Sequence, residues 1–85
     1  MNTLTESLFS EIFPEEITSA YAPKDAEVYE YSTGWTLYVV RTFNKDGYPV
    51  PPMDAYLVAI HADGTREDLR TNSADEITAW ANMFR

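Results

Sequence analysis

Eighty-five residues carry 14 Asp and Glu against 6 Lys and Arg, a formal charge of −8, with no cysteine and one histidine. That balance excludes a disulfide framework and a thiolate metal site, and it argues against direct binding to nucleic acid or an anionic membrane, whose phosphates call for Lys and Arg. The 45% hydrophobic and 14% aromatic content describes a folded chain; no apolar run nears the roughly 18 residues of a membrane span, and MNTLTESLFSEIF lacks the basic segment of a signal peptide, so one cytoplasmic α+β domain over residues 1–85 is expected.

Thr3-Leu4-Thr5-Glu6 reads as a capping box, with the Thr3 hydroxyl on a first-turn amide. Leu4, Leu8 and Ile12, with Phe9 and Phe13 beside them, form an apolar helical stripe. Pro14 disfavours helical geometry at Phe13 and so ends this helix. Pro14 then suits the first position of a second short helix, with Glu15 and Glu16 at its positive end and Ile17, Ala20 and Tyr21 on its inner side. Ala22 to Asp25 reads as a loop.

Ala26 to Ser32 is an expected strand with two alternating faces: Glu27, Tyr29 and Tyr31 on one, Ala26, Val28 and Glu30 on the other. Trp35 to Phe43 is the strongest strand, with Trp35, Leu37, Val39 and Phe43 sharing a parity that Arg41 interrupts. Ser32-Thr33-Gly34 is short enough for a hairpin. Asn44-Lys45-Asp46-Gly47 is a turn signal, and Tyr48-Pro49-Val50-Pro51-Pro52 reads as an extended connector. Pro49 to Pro52 also fits P-x-x-P, a common chance pattern.

Met53 to Ala62 is the third expected strand, and Asp63-Gly64 a hairpin dipeptide in which both residues tolerate positive φ. Thr65 to Arg70 is the fourth, with Arg66, Asp68 and Arg70 on one solvated or edge face. Ser73-Ala74-Asp75-Glu76 is a second capping box. Ile77, Trp80, Ala81 and Phe84 follow at i, i+3, i+4 and i+7. The expected fold is α+β: an antiparallel meander of about four strands, with N-terminal helices and a C-terminal helix packed on one face.

No residue pattern marks catalysis. His61 is the only histidine and no G-x-S-x-G surrounds a serine, so His61 reads as a strand-end residue on a half-buried face. His61, Asp63 and Asp68 are the one conceivable metal group, and they match no EF-hand or zinc spacing. The expectation is a non-enzymatic protein with no metal and no cofactor.

The acids are uneven. Residues 1–40 hold seven against one base, a net of −6; residues 41–85 hold seven against five, a net of −2. Carboxylates at i and i+2 on a strand lie ~6.6 Å apart, near the spacing of successive phosphates along an extended strand, so an acidic surface can occupy a groove built for nucleic acid. Glu11, Glu15, Glu16, Asp25, Glu27 and Glu30 are the candidate partner-binding acids. Tyr29 and Tyr31 are the candidate anchors, since Tyr is enriched in interfaces; the alternative is that their strand face is a covered inner one. A solvated acidic surface kept for solubility explains the same charge.

In whole-chain character, and in Thr65-Arg66-Glu67-Asp68-Leu69 followed by the capped segment from Ser73 to Trp80, the chain resembles small phage- and plasmid-encoded counter-defence proteins, anti-CRISPR proteins among them. The resemblance assigns no binding residue. It implies a stoichiometric inhibitor, a monomer or small homo-oligomer, that blocks a nucleic-acid-binding protein complex in the host cytoplasm. The alternatives are a phage or bacterial assembly protein and an acidic immunity or antitoxin protein.

Overall fold

Pro14 divides the first layer of the fold into two short helices. In the computed structural model, which describes residues 4–41 and 55–85, α1 (Glu6–Ile12) is capped by Thr5, whose hydroxyl accepts from the Leu8 N–H at 3.2 Å. The cap therefore falls two residues later than the box read at Thr3, which lies outside the described residues. Leu4 precedes the helix, so it does not continue the helical stripe of Leu8 and Ile12. Leu4, Phe9, Ile12 and Phe13 are buried while Leu8 is 39% exposed. Phe13 is extended before Pro14, as the proline ring requires. Pro14 itself is the cap of α2 (Glu15–Thr18) rather than its first residue. In α2 only Ile17 is buried; Ala20, expected inside, is exposed. Pro23–Asp25 tightens into a 3-10 turn where a loop was expected.

The sheet is the expected four-stranded antiparallel meander. β1 (Ala26–Glu30), β2 (Trp35–Arg41), β3 (Ala55–His61) and β4 (Arg66–Thr71) lie in the order β1-β2-β3-β4. Tyr29 faces Leu37, Leu37 faces Ala59, and Leu57 faces Leu69. Strand ends expected at Thr42, Phe43 and Met53, the Asn44–Gly47 turn and the Pro49–Pro52 motif lie outside the described residues.

The β1–β2 and β3–β4 hairpins are built alike. Gly34 N–H donates to the Tyr31 carbonyl at 3.1 Å and Gly64 N–H to the His61 carbonyl at 2.9 Å, and the chain then pairs Tyr31 with Trp35 and His61 with Thr65. Gly34 has φ +98° and Gly64 φ +97°, and no described non-glycine residue has positive φ. Each is a turn closed by a left-handed glycine bulge. Asp63 is therefore not in the left-handed region, contrary to the expectation for Asp63-Gly64.

α3 (Ala74–Asn82) starts at Ser73, whose hydroxyl accepts from the Glu76 N–H at 3.2 Å. It packs through Ile77, Trp80 and Ala81, with Phe84 beyond its end, on Leu37, Val39, Ala55, Leu57 and Ala59. α1 and α2 pack on Val40, Tyr56 and Val58, with Val28, Tyr38 and Ile60 alongside. These are opposite faces of the sheet. The helices therefore sandwich it instead of sharing one side, which corrects the two-layer expectation. Leu57, Val58 and Ala59, three consecutive β3 residues, are each fully buried. Burial on both faces contributes about 1.5–3 kcal/mol for each large side chain removed from water.

β4 fastens the N-terminal helices to the sheet. The Arg66 guanidinium donates to the Glu11 carbonyl at 3.4 Å and to the Ile12 carbonyl, at the C-terminal end of α1. There it meets unpaired carbonyls and the negative end of the helix dipole. Arg66 Nε also holds Asp68 at 2.8 Å, and Asp68 accepts from the Tyr56 hydroxyl at 2.6 Å. Arg70 pairs with Glu16 of α2 and lies over the Tyr56 ring at 4.9 Å. The Arg66, Asp68 and Arg70 face, expected to be a solvated or edge face, is exposed on an edge strand and in addition contacts the helical layer.

Candidate partner-binding surface

Residues 4–25, comprising α1, α2 and the turn after them, carry Glu6, Glu11, Glu15, Glu16 and Asp25 against Lys24 alone. Both helices place acids in their first turns, where the dipole favours them: Glu6 in α1, Glu15 and Glu16 in α2. Glu6, Glu11, Glu15 and Glu16 are all exposed. Two are compensated: Glu16 by Arg70, and Asp25 by the Ala22 N–H at 2.8 Å. The carboxylates of Glu6, Glu11 and Glu15 form no ion pair among the described residues. Glu30, on the same side of the sheet through its parity with Val28, is exposed and likewise unpaired among the described residues.

The eight sequence-derived candidates do not form one surface. Glu11, Glu15, Glu16, Asp25 and Glu30 lie on the α1–α2 side. Glu27, Tyr29 and Tyr31 lie on the α3 side. Glu27 is already engaged: it takes Arg41 Nε at 2.8 Å and the Tyr29 hydroxyl. That hydrogen bond, then burial, raises the Tyr29 hydroxyl above its ordinary titration range. Asp25 sits in the 3-10 turn ahead of β1, so it does not share a strand face with Glu27. Tyr31 packs against the cluster of Leu37, Ala59 and Phe84, while Tyr29 is 44% exposed. The strand face left open between interface and inner face is thus covered at Tyr31 and exposed at Tyr29.

His61 joins the two hairpins. Its Nε2 lies 3.3 Å from the Thr33 carbonyl, and its Nδ1 is 3.2 Å from the Asp63 N–H and 3.1 Å from the Asp63 carboxylate. Thr65 donates its hydroxyl to Asp63 at 2.6 Å and its N–H at 2.9 Å. These bonds, the hydroxyl first, bring the Asp63 carboxyl down to about 2. Asp68 lies on the other face, so the conceivable metal trio is not assembled. No group of three or more potential ligands occurs among the described residues.

A feature that sequence reading misses lies beside β1. α3 leaves part of β1 and β2 uncovered, and a cleft of about 200 Å³ opens there between Tyr29, Leu37, Val39 and Ile77, with Arg41 and Arg85 in its lining. The one sequence signal for it is Arg41, the cation that interrupts the apolar parity of β2.

No helix among the described residues is long and apolar enough to cross a membrane. Set against known protein families, curated proteins and solved structures, the chain matches none.

Proposed function

We propose that the chain is a non-catalytic binding protein whose acidic N-terminal layer docks on the basic surface of a nucleic-acid-binding protein complex in the cytoplasm and inhibits it, in the manner of anti-CRISPR proteins. One observation carries the reading. Glu6, Glu11, Glu15 and Glu30 stay exposed and, among the described residues, unpaired on one side of the fold, while the two arginines on that side are engaged within the chain, Arg66 with Asp68 and the α1 carbonyls and Arg70 with Glu16. A surface left uncompensated in this way steers toward Lys- and Arg-rich partners and fixes their register. It also competes for the charges that would otherwise meet phosphates.

Affinity capture with the tagged chain from a bacterial lysate, read by mass spectrometry at low and high salt, tests it. A nucleic-acid-binding partner that is released as salt rises is the expected result, because exposed ion pairs are screened over ~8–10 Å. A partner held equally at both salts, or one with no nucleic-acid-binding surface, overturns the reading.

A further inference from the structure

The uncovered strip beside α3 has a second property. β1 is an edge strand, and among the described residues only β2 pairs with it. The β1–β2 hairpin closes through the Tyr31 N–H on the Trp35 carbonyl at 2.9 Å. Antiparallel alternation then points the main-chain groups of Tyr29 and Glu27 at β2 and those of Val28 and Glu30 outward. An open edge thus runs along the lip of the cleft, whose Tyr29 wall is formed by that same strand.

We propose that an extended segment of a partner protein adds to β1 as a fifth strand, with the pattern acidic, any, apolar, any, acidic. Its apolar residue lies opposite Tyr29 and enters the cleft. Its two acidic residues lie opposite Glu27 and Tyr31, toward Arg41 and Arg85. Arg41 is held by Glu27 through Nε, and the Arg85 guanidinium is 5.5 Å from the Tyr31 ring centroid. The cleft's size decides for a peptide. At about 200 Å³ it is below the ~300–1,000 Å³ of small-molecule sites and suits a single side chain. Strand addition supplies the remaining contact through main-chain bonds, with pockets for alternate side chains giving the selectivity. Charge decides for acids. On a chain of net −8 an acidic segment is repelled by most of the surface; at this cleft it meets the Arg85 guanidinium and the two terminal nitrogens of Arg41, whose Nε alone is taken by Glu27. The site is opposite in charge to the N-terminal layer and lies on the other face, so it does not rest on the function proposed above.

The probe is a capped heptapeptide, Thr-Glu-Thr-Phe-Thr-Glu-Thr, titrated into the isotope-labelled chain and followed by amide NMR shifts. Shifts centred on β1 and the facing side of α3 are expected. N-methylating the two threonines beside the phenylalanine, whose amides would meet Val28 and Glu30, should weaken binding about tenfold or more with the protein unchanged. Replacing both glutamates by lysine, or making Arg41→Gln with Arg85→Gln, should weaken it about as much. Reversing the charges of α1 and α2 should not weaken it, since that change only relieves the repulsion of an acidic segment. The proposal is overturned by equal binding of the N-methylated peptide, by shifts confined to α1 and α2, by no saturable shift up to about 1 mM peptide, or by a β1 edge occupied by a second copy of the chain.

Discussion

Arg41 Nε and Glu27 Oε2 lie 2.8 Å apart across the β1–β2 pair, with the Tyr29 hydroxyl on the same carboxylate. The pair is half exposed, at 45% and 40% for the two side chains, so its contribution to stability is of the order of 0–1 kcal/mol. Its consequence is one of bookkeeping on charge: Glu27 is answered by Arg41, whereas Glu6, Glu11, Glu15 and Glu30 have no ion-pair partner among the described residues.

Glu27→Gln should therefore change stability by less than about 1 kcal/mol and leave binding to a basic partner nearly intact. It replaces the charged acceptor of the Tyr29 hydroxyl by a neutral amide oxygen, which weakens the first cause of the raised Tyr29 titration and removes the repulsion by the Glu27 charge. Tyr29 in the variant should ionise at lower pH than in the wild type, as NMR or ultraviolet titration will read. An unchanged Tyr29 titration would contradict the contact.

Arg66 joins three elements: the C-terminal end of α1, Asp68, and through Asp68 the Tyr56 hydroxyl. Arg66→Ala leaves the α1 carbonyls without their donor and Asp68 without its cation. A loss of about 1–3 kcal/mol in urea unfolding is expected. Arg66→Lys should restore only part, since an ammonium keeps the charge at the helix end without the fork that reaches both carbonyls and Asp68.

Asp68, and to a lesser degree the exposed Asp63, contribute to the acid limb of stability. Both carboxyls are lowered from 3.8, Asp63 to about 2 chiefly by the Thr65 hydroxyl, and Asp68 chiefly by Arg66. A depressed folded-state value means that the contribution is complete above about pH 4 and is lost as pH falls through the folded value. The Tm of the wild type should fall from pH 4 toward pH 2. The difference in Tm between wild type and Asp68→Asn should shrink over the same window. A difference that stays constant to pH 2 would show that the charge at Asp68 is not what stabilises.

The two bulge glycines should respond differently to alanine. Both have positive φ, so both substitutions bring backbone strain of about 1 kcal/mol. A Cβ at Gly64 meets nothing within 4 Å, whereas one at Gly34 comes to 2.9 Å from His61 Nε2. Gly34→Ala should be clearly the more destabilising, and His61→Ala should recover part of the difference in a double-mutant cycle. Equal losses would mean that the His61 contact is not restrictive.

β2 and α3 are legible in the sequence because their apolar periods are long and unambiguous, as in Trp35-Leu37-Val39 and Ile77-Trp80-Ala81-Phe84, whereas β1 and β4 are legible chiefly through the hairpin turns that join them to their neighbours. The phase of α1 is not, because Thr3 and Thr5 both offer a cap and a shift of two residues moves Leu8 from the core to water. Which faces of the sheet are covered is written in β3, where Tyr56, Val58 and Ile60 on one parity and Ala55, Leu57 and Ala59 on the other are all apolar. A strand apolar on both parities is one buried on both sides. The candidate acids are legible as residues but not as a surface. Alternation along β1 sends Glu27 and Glu30 to opposite faces, and the arginines that cancel Glu16 and Glu27 come from β4 and β2, distant in sequence. The cleft depends on where α3 lies across the sheet, and no local pattern encodes that.

The most direct test of the central claim is a comparison of partner capture by the wild type and by a chain carrying Glu6→Lys, Glu11→Lys, Glu15→Lys and Glu30→Lys, with circular dichroism to verify the fold. These four acids are exposed and unpaired among the described residues, so the variant should fold with the wild-type spectrum and lose the nucleic-acid-binding partner. A folded variant that captures the same partner undiminished would contradict the account.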